Sequence, residues 1–392
     1  MKIVVVGGCG HVGLPLAVSL AVAGAQVTAF DINPIAVESV NKGITLFHED
    51  LLEESIQQTV GKTFTATTEP SSISDADIVV MIVGTPLDVH LNPDPNAVVA
   101  ALSNIAHHLR DGQSLILRST VFPGVTKRIE GLISDSGVKV SVAFCPERIV
   151  EGQAMKELRE LPQIIGVRDD QTYLSAKSVF DLLGVKSIRT SPEEAELAKL
   201  FTNTWRYIKF AAANQFWMMA NSAGVEFENV RAAIKFEYPR AADLPGAGFA
   251  AGPCLFKDTM QLAAFSGNHF PLGNAAMLVN EGQPDYIVEK IKEKYDLAAM
   301  KVGILGMAFK GESDDSRSSL AYKLKRILKF NCHEVLTTDP YVKDDESLLE
   351  EDLVLTSADL LIIAAPHFRY RELKTSKPVI DIWNLRGSGT SI

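Results

Sequence analysis

The stretch that decides the fold is KIVVVGGCGHVGLPLA, residues 2–17. It passes from a run of β-branched residues, through the glycine pattern G-x-G-x-x-G, into an apolar stretch that predicts a helix. Glycines at these positions let backbone amides approach a pyrophosphate at the positively charged end of a helix. The sequence therefore predicts a dinucleotide site that uses Gly8, Gly10, His11, Val12 and Gly13.

A carboxylate, Asp31, directly follows the second predicted strand, Gln26–Phe30. At this position the side chain accepts hydrogen bonds from a ribose diol and repels a 2′-phosphate. Asp31 therefore favours NAD over NADP as the cofactor. The alternative interpretation is a tight strand-to-helix turn that binds no ligand, and Cys9 between the glycines is interpreted as a small filler residue.

The amino-terminal half of the chain alternates short β-branched runs with helical stretches. Because these runs lack polar alternation, the strands are expected to be buried on both faces, as in a parallel sheet with crossover helices. The predicted fold class is a doubly wound, Rossmann-like α/β domain. The predicted strands are residues 3–6, 26–30, 78–83, 114–117 and 139–144.

The same alternation returns after Ala299 and predicts a second, smaller Rossmann-like α/β domain. Its predicted strands and helix, in chain order, are residues 302–305, 320–330 (helix), 334–337, 360–364 and 379–382.

One long helix is predicted between the two α/β regions, because no glycine or proline lies between Pro192 and Gly224. A helix of about 45 Å typically connects domains or forms the core of a dimer, so we expect a homodimer. The predicted domains are residues 1–190 (dinucleotide-binding), 191–298 (helical, with the long helix) and 299–392 (second α/β domain). The apolar residues at helical spacing are Leu197, Leu200, Phe201, Ile208, Ala212, Phe216 and Met219.

The composition restricts the class of function. The 392 residues are 46% apolar and 22% charged, which is ordinary for globular proteins. A formal net charge of −10 argues against binding to nucleic acid or to an anionic membrane surface. The absence of an apolar run of about 18 residues predicts no membrane span, and the expected location is the cytoplasm. Four cysteines without a CxxC pair suggest neither a disulfide framework nor a metal site.

A cysteine with charged neighbours forms a second group of interest. Cys254 ends a glycine-rich, alanine-rich loop and precedes a predicted helix that contains Lys257 and Asp258. A helix amino terminus and a nearby lysine favour a thiolate, and Asp258 lies one helical turn from the sulfur. These features predict a nucleophile, whereas the alternative for a lone cysteine is a buried filler residue.

Other polar residues lie where they can face a cleft. Lys199 and Asn203 are four residues apart, on one face of the long helix. The residues that follow predicted strands at the carboxyl edge of the sheet are Thr85, Thr120, Glu147 and Glu151. The alternative interpretation of Lys199 is a solvated lysine. For the two glutamates it is surface carboxylates in a loop, and for the two threonines it is an ordinary turn that ends a strand.

Together these residues resemble the nucleotide-sugar 6-dehydrogenase family, which includes the UDP-glucose, GDP-mannose and UDP-N-acetylmannosamine dehydrogenases. The resemblance covers essentially the whole chain. The motifs that carry it are the Gly8–Gly13 fingerprint with Asp31, Gly84-Thr85-Pro86, Ser119-Thr120 with Pro123-Gly124, Pro146-Glu147, Lys199 with Asn203, Cys254 with Lys257-Asp258, and Gly306–Lys310 with Asp315 and Arg317.

The resemblance implies an NAD-dependent, four-electron oxidation of the C6 alcohol of a nucleotide-diphosphate hexose to a uronic acid. Cys254 would trap the intermediate aldehyde as a thiohemiacetal, whose oxidation gives a thioester that water hydrolyses. The implied substrate is a UDP-hexose or a UDP-N-acetylhexosamine, and the product would serve polysaccharide or glycoconjugate synthesis. The carboxyl-terminal α/β domain would bind the UDP-sugar, and the long helix would form the dimer.

The resemblance also implies the catalytic roles of individual residues. Lys199 would stabilise the developing oxyanion, and Asn203 would help to position it. Asp258 and Thr120 would order the catalytic water, while Glu147 corresponds to a glutamate implicated in thioester hydrolysis.

Further residues would bind the two ligands. Those on the NAD side, besides the fingerprint and Asp31, are Thr85, Thr120, Glu151 and Arg317. Those on the substrate side are Glu147, Arg148, Lys199, Asn203, Arg240, Phe249, Gly252, Lys257, Phe309 and Lys310.

Two other functions remain open at the level of sequence. A one-step NAD-dependent hydroxyacid dehydrogenase would share the amino-terminal domain but leave Cys254 without a role, and a catalytically silent nucleotide-sugar binding protein would share the whole scaffold. The sugar also remains open. Residues 145–148 and 238–240 resemble the N-acetylhexosamine branch of the family, whereas residues 254–258 resemble the UDP-glucose and GDP-mannose branches.

Overall fold

The computed structural model of the chain describes residues 1–85 and 94–392. Pro86, the last residue of the Gly84-Thr85-Pro86 motif, lies outside the described residues. The chain divides into two compact units, Met1–Thr202 and Asn203–Ile392, and the boundary between them falls within a long helix.

The sheet of the first unit confirms the predicted doubly wound fold. Its strands across the described residues are β1 (Lys2–Val6), β2 (Gln26–Phe30), β3 (Phe64–Thr67), β4 (Ile78–Met81), β5 (Ser114–Leu117), β6 (Ser141–Phe144), β7 (Gln163–Gly166) and β8 (Ser187–Thr190). Their order is β3-β2-β1-β4-β5-β6-β7-β8. Neighbours are parallel except β6 and β7, which are antiparallel. The strand order reverses direction between β1 and β4, and ligands bind at the carboxyl edge beside such a point.

Helices cover both faces of this sheet. Ile3 and Val5 pack into one buried apolar cluster, and Val4 and Val6 pack into another, so β1 is buried on both sides as its uninterrupted apolar sequence predicts. The helices of the first unit are α1 (Gly13–Val22), α2 (Pro34–Asn41), α3 (Leu52–Thr59), α4 (Ala97–Ile105), α5 (Val125–Asp135), α6 (Ala154–Glu157) and α7 (Asp170–Leu182), with short 3-10 helices at Pro70–Asp75 and Ala106–His108.

The predicted long helix is present as α8 (Pro192–Ser222) and contains 31 residues. The remaining helices are α9 (Phe227–Lys235), α10 (Leu255–Phe265), α11 (Pro271–Lys292), α12 (Leu320–Lys329) and α13 (Glu351–Ser357), with 3-10 helices at Pro239–Ala241, Leu297–Ala299 and Phe368–Glu372. Across the part of the chain that the structure describes, no helix combines the length and apolar character needed to span a bilayer.

A second parallel sheet lies in the carboxyl-terminal unit, as predicted. Among the residues described there, its strands are β9 (Lys301–Leu305), β10 (Glu334–Thr338), β11 (Leu360–Ile363) and β12 (Val379–Asp381). Their order is β10-β9-β11-β12, and every pair is parallel.

Asp339, directly after β10, fixes the turn that follows β9. Its Oδ2 atom accepts the backbone N–H groups of Met307 at 2.6 Å and Ala308 at 2.9 Å. The same oxygen lies 3.1 Å from His367 Nε2. Burial alone would raise the pKa of Asp339, but the charge and hydrogen bond of His367, together with backbone donors, lower it to about 2.

Replacing this carboxylate should destabilise the second unit. In Asp339→Asn an amide NH₂ faces donors that had an acceptor, so we expect the free energy of unfolding to fall by about 1–3 kcal/mol. The stabilisation by Asp339 is present above its ordinary pKa of 3.8 and is lost as the pH falls toward about 2. Thermal melts of both proteins from pH 6 to pH 2 should therefore converge at low pH.

Asp344→Asn is the control, because Asp344 is an exposed carboxylate in the same loop. It should melt within a few degrees of the unmodified protein. Equal effects of the two substitutions would contradict the role given to Asp339.

Candidate active site

The glycine turn after β1 has the close packing that a dinucleotide fingerprint requires. A Cβ added to Gly13 would lie 2.1 Å from the carbonyl oxygen of Gly7, so only glycine lets α1 begin this close to the strand. By contrast, the Cβ side of Gly10 is open, since the nearest atom there is Gly7 O at 3.7 Å. The turn therefore leaves its backbone accessible to a pyrophosphate while anchoring α1 against the sheet.

Asp31 lies beside this turn, as predicted. Its Oδ2 atom accepts the backbone N–H of Cys9 at 3.0 Å, and its Oδ1 atom accepts that of Asn33 at 3.0 Å. A carboxylate has capacity for about four hydrogen bonds, so Asp31 can also accept from a ribose diol. These residues fit an NAD adenosine ribose and pyrophosphate.

Other predicted residues follow neighbouring strands of the same sheet. Thr85 and Thr120, after β4 and β5, are both half-buried. The two strand ends are joined because Ser119 Oγ accepts the backbone N–H of Val83 at 2.8 Å. Glu151 is half-buried and lies between β6 and α6.

A buried ion pair joins the ends of β5 and β6. Arg118 is 1% exposed and Glu147 is 8% exposed, and the guanidinium donates to Glu147 Oε2 and to Gln163 Oε1. Burial alone would raise the pKa of Glu147, but the charge and hydrogen bond of Arg118 and two backbone donors lower it. Glu147 is therefore held as a carboxylate, and its predicted role in hydrolysis stays a prediction.

Lys199 is buried on α8, although a lysine on a helix is usually solvated. It is 8% exposed, and Nζ has no hydrogen-bonding or ion-pair partner among residues 1–85 and 94–392. A buried ammonium group without a fixed partner is available to an oxyanion.

The predicted nucleophile lies at the start of a helix. Cys254 is the N-cap residue of α10 and is exposed, so its sulfur is accessible at the end that favours negative charge. One turn later, Asp258 is fully buried and its Oδ2 atom accepts from Asn203 Nδ2 at 2.6 Å. Asp258 Oδ1 lies 3.5 Å from Lys257 Nζ. The structure thus brings the predicted Asn203, Lys257 and Asp258 together near Cys254.

The other cysteines are unsuited to nucleophilic chemistry. Burial raises the pKa of Cys9 and of Cys145 to about 12. Burial also raises the pKa of Cys332. These thiols are protonated at neutral pH, which agrees with the interpretation of Cys9 as filler. Within the described residues, no cluster of His, Cys, Asp and Glu has the arrangement of a metal site.

The loop before Cys254 packs against the turn after β9. Gly252 has a φ of +99°, and a Cβ there would lie 2.5 Å from the Phe309 ring. Lys310 Nζ lies 5.6 Å from the centre of the same ring. Three predicted substrate-binding residues are therefore adjacent in space, although Gly252 and Phe309 are far apart in sequence.

The remaining predicted residues have varied environments. Phe249 is buried with its ring against Trp383, so that side chain belongs to the core of its unit. Arg240 is exposed and packs over Tyr238, and Arg148 Nη2 donates to the carbonyl of Pro162. Arg317 is exposed and binds Asp315 through Nε at 2.9 Å and Nη2 at 2.7 Å.

Arg118 and Asn214 are among the buried polar residues that the sequence did not predict. Arg118 could have been noticed as a cation directly after the apolar strand Ser114–Leu117. Asn214 is 0% exposed within α8 but lies on a different side of the helix from most of the predicted apolar residues, so no local pattern marks it.

Comparison with known proteins agrees with this geometry. Family models of the UDP-glucose/GDP-mannose dehydrogenase family match residues 1–183 (NAD binding domain), 193–282 (central domain) and 303–387 (UDP binding domain). A UDP-N-acetyl-D-mannosamine dehydrogenase of Pyrococcus horikoshii is 31% identical over 95% of this chain and 91% of its own length.

Two solved structures are also similar to the whole chain. The UDP-D-ManNAc dehydrogenase of Pyrococcus horikoshii is 27% identical, with a TM-score of 0.90 over 98% of this chain and 96% of that one. A UDP-glucose dehydrogenase of Pyrobaculum islandicum is 27% identical, with a TM-score of 0.90 over 97% of this chain and 94% of that one.

The fold and the matched domains define an NAD-dependent oxidoreductase that acts on a nucleotide sugar. The chain belongs to the UDP-glucose/GDP-mannose dehydrogenase family.

The Arg118–Glu147 pair should be essential to the stability of the first unit. Arg118→Met leaves a buried carboxylate without its cation, and loss of one partner of a buried pair costs about 3–5 kcal/mol. Arg189→Met is the control, since Arg189 pairs with the exposed Asp170, and such surface pairs contribute up to about 1 kcal/mol. Urea titrations compare the two; equal losses would contradict the importance of the buried pair.

Proposed function

We propose that this enzyme oxidises the C6 hydroxyl of a UDP-linked N-acetylhexosamine or hexose to a carboxylate through a covalent intermediate on Cys254. The observation that carries the proposal is the accessible sulfur of Cys254 at the start of α10, one turn from a buried Asp258 that Asn203 holds at 2.6 Å. A one-step dehydrogenase has no use for this arrangement.

The proposed reaction has four stages. Loss of a proton and a hydride converts the alcohol to an aldehyde, and the Cys254 thiolate adds to the aldehyde carbon to form a thiohemiacetal. Loss of a second hydride and a proton gives a thioester. Water then cleaves the C–S bond, which releases the carboxylate and regenerates the cysteine. The balance is one alcohol, two NAD⁺ and one water to one carboxylate, two NADH and three protons.

Residues of this chain have distinct proposed roles. Bound NAD⁺ supplies the hydride acceptor for each oxidation, and the Gly8–Gly13 turn with Asp31 would hold it. Asn203 orients the Asp258 carboxylate, which can hold a water or accept a proton near the sulfur. Lys199 offers its ammonium group to the oxyanion. As the family resemblance implies, Thr120 helps to order the catalytic water and Glu147 takes part in hydrolysis of the thioester.

The proposed substrate is a UDP-N-acetylhexosamine. The UDP binding domain match supports the nucleotide, and the relatives named as UDP-N-acetyl-D-mannosamine dehydrogenases, at 31% and 32% identity, support the sugar. A UDP-hexose is the second candidate, because the structure of the UDP-glucose dehydrogenase is similar over 97% of the chain.

Counting NADH tests the reaction. With limiting sugar nucleotide and excess NAD⁺, a panel of UDP-, GDP- and TDP-linked hexoses and N-acetylhexosamines should include one compound that yields two NADH per sugar. Cys254→Ser should bind the same compound but form no carboxylate, because an alcohol at this position is a far weaker nucleophile. Mass spectrometry of the product measures the carboxylate.

Cys332→Ser is the control for Cys254→Ser, since burial raises the pKa of that thiol, and it should keep normal turnover. One NADH per sugar would favour a simple alcohol dehydrogenase. Carboxylate formation by Cys254→Ser would exclude the thioester route.

We also propose that the chain forms a homodimer through α8. Four large apolar side chains on this helix are between 47% and 58% exposed. At 100° per residue they fall within about 60° of one another around the helix, so they form one stripe. A stripe of this kind typically marks a protein interface. Its members are Phe201, Trp205, Phe216 and Met219.

A charge in the stripe should dissociate the dimer. Trp205→Glu places a carboxylate in an apolar interface, so light scattering coupled to gel filtration should show half the mass of the unmodified protein. Leu174→Glu, at a 64% exposed leucine of α7, is the control and should stay dimeric. A monomeric unmodified protein, or a dimeric Trp205→Glu, would overturn this interface.

A further inference from the structure

A buried amide on the long helix holds the loop that leads to Cys254. Asn214 Oδ1 accepts the backbone N–H of Gly248 at 3.0 Å, and Asn214 Nδ2 donates to the Gly248 carbonyl at 3.0 Å. The side chain therefore binds both polar groups of one peptide residue, as a neighbouring β-strand does. Gly248 lies six residues before Cys254.

Two residues of α11 fix the orientation of this amide. Asn214 Nδ2 also donates to Asn280 Oδ1 at 3.0 Å, and Gln283 Nε2 donates to Asn214 Oδ1 at 3.0 Å. All three side chains are 0% exposed. Because each donor meets an acceptor, rotating the Asn214 amide by half a turn would place like groups against each other.

Gly248 occupies a position that only glycine fits. Its φ is +147°, a conformation that residues with a side chain rarely adopt, and an added Cβ would lie 2.3 Å from the Trp383 ring. The indole packs on one side of the glycine while Asn214 binds its polar groups. The loop is therefore held at this residue by both packing and hydrogen bonds.

A second attachment precedes the nucleophile. The backbone N–H of Gly252 donates to the Ser318 carbonyl at 3.3 Å, and Ala250 is buried in an apolar cluster with Tyr207. Between Gly248 and Cys254, the chain is thus attached at one end by Asn214 and near the other by Ser318. Cys254 itself is exposed.

We propose that Asn214 is a positioning residue that sets the location of the Cys254 sulfur for capture of the aldehyde. The inference rests on the proposed function, in which Cys254 is the nucleophile. Packing alone would be served as well by an apolar side chain, whereas an asparagine here pairs with one defined backbone position. Asn214 touches no reacting atom; it acts through the Gly248 peptide.

Loss of this positioning has a chemical signature. The first oxidation needs only the alcohol and the cofactor, whereas the second needs the carbon–sulfur bond. A displaced sulfur slows addition to the aldehyde carbon, so the aldehyde leaves before the second hydride is lost. A general loss of folded enzyme would lower the rate but keep two NADH per sugar.

Asn214→Asp tests the proposal, because it keeps the volume and the acceptor but places a second oxygen against the Gly248 and Asn280 oxygens. We expect kcat to fall tenfold to a hundredfold, the range that misplacement of a reacting group causes. NADH per sugar should fall below two, and a hydrazide reagent should trap the free aldehyde. Asn214→Ser, which introduces no charge, is the second variant if the aspartate does not fold.

Asn221→Asp is the matched control. Asn221 is half-buried on the same helix and donates to Trp217 O, so this variant should keep two NADH per sugar and the unmodified kcat. A folded Asn214 variant that yields two NADH per sugar and no free aldehyde would overturn the positioning role. If Cys254→Ser still forms no carboxylate in that case, the proposed function itself stands. Carboxylate formation by Cys254→Ser would instead refute the proposed function itself.

Discussion

The hydrogen bond between Asn203 and Asp258 is the interaction on which the arrangement of the second unit's site depends. It joins α8 to α10 at 2.6 Å, and α10 begins at Cys254. Both partners are at most 5% exposed, so the carboxylate pays a desolvation cost that an amide donor offsets only in part. Such a carboxylate retains acceptor capacity on Oδ1, which is buried and faces Lys257 at 3.5 Å. The chemistry near the sulfur therefore derives from a residue whose position the long helix determines.

The two sheets use the same turn for different purposes. In each, a glycine turn follows the first strand and an aspartate follows its neighbour. Asp31 accepts two backbone N–H groups and is half-buried, which leaves capacity for a ribose. Asp339 accepts four backbone N–H groups and contacts His367, and its side chain is fully buried. The second aspartate is therefore structural, and the resemblance of the two sheets does not extend to their acidic residues.

Local patterns predicted most of the fold. The strands Gln26–Phe30 and Ser114–Leu117 and the helix α8 have the predicted bounds within one or two residues, since each is an uninterrupted local signal. The strands β3, β7 and β8 were not predicted. β8, SIRT, has no run of buried residues, and β7 pairs with β6 in the antiparallel sense that strand-helix alternation does not indicate. These strands form through pairing with neighbouring strands of the sheet, which a local sequence pattern does not show.

The residues of the candidate site also divide into those that a local sequence pattern predicts and those that it does not. Cys254, Asp258, Lys199 and Asn203 were recognisable because their spacing along one helix, or at its start, carries chemical meaning. Arg118 and Asn214 bind partners that are 29 and 34 residues away, and no periodicity connects such residues. The proposed nucleophile and its charged neighbours are thus encoded by short motifs, whereas the groups that hold them in place depend on packing between distant segments. In the proposed reaction, a substitution that preserves every motif is therefore expected to separate the first oxidation from the second.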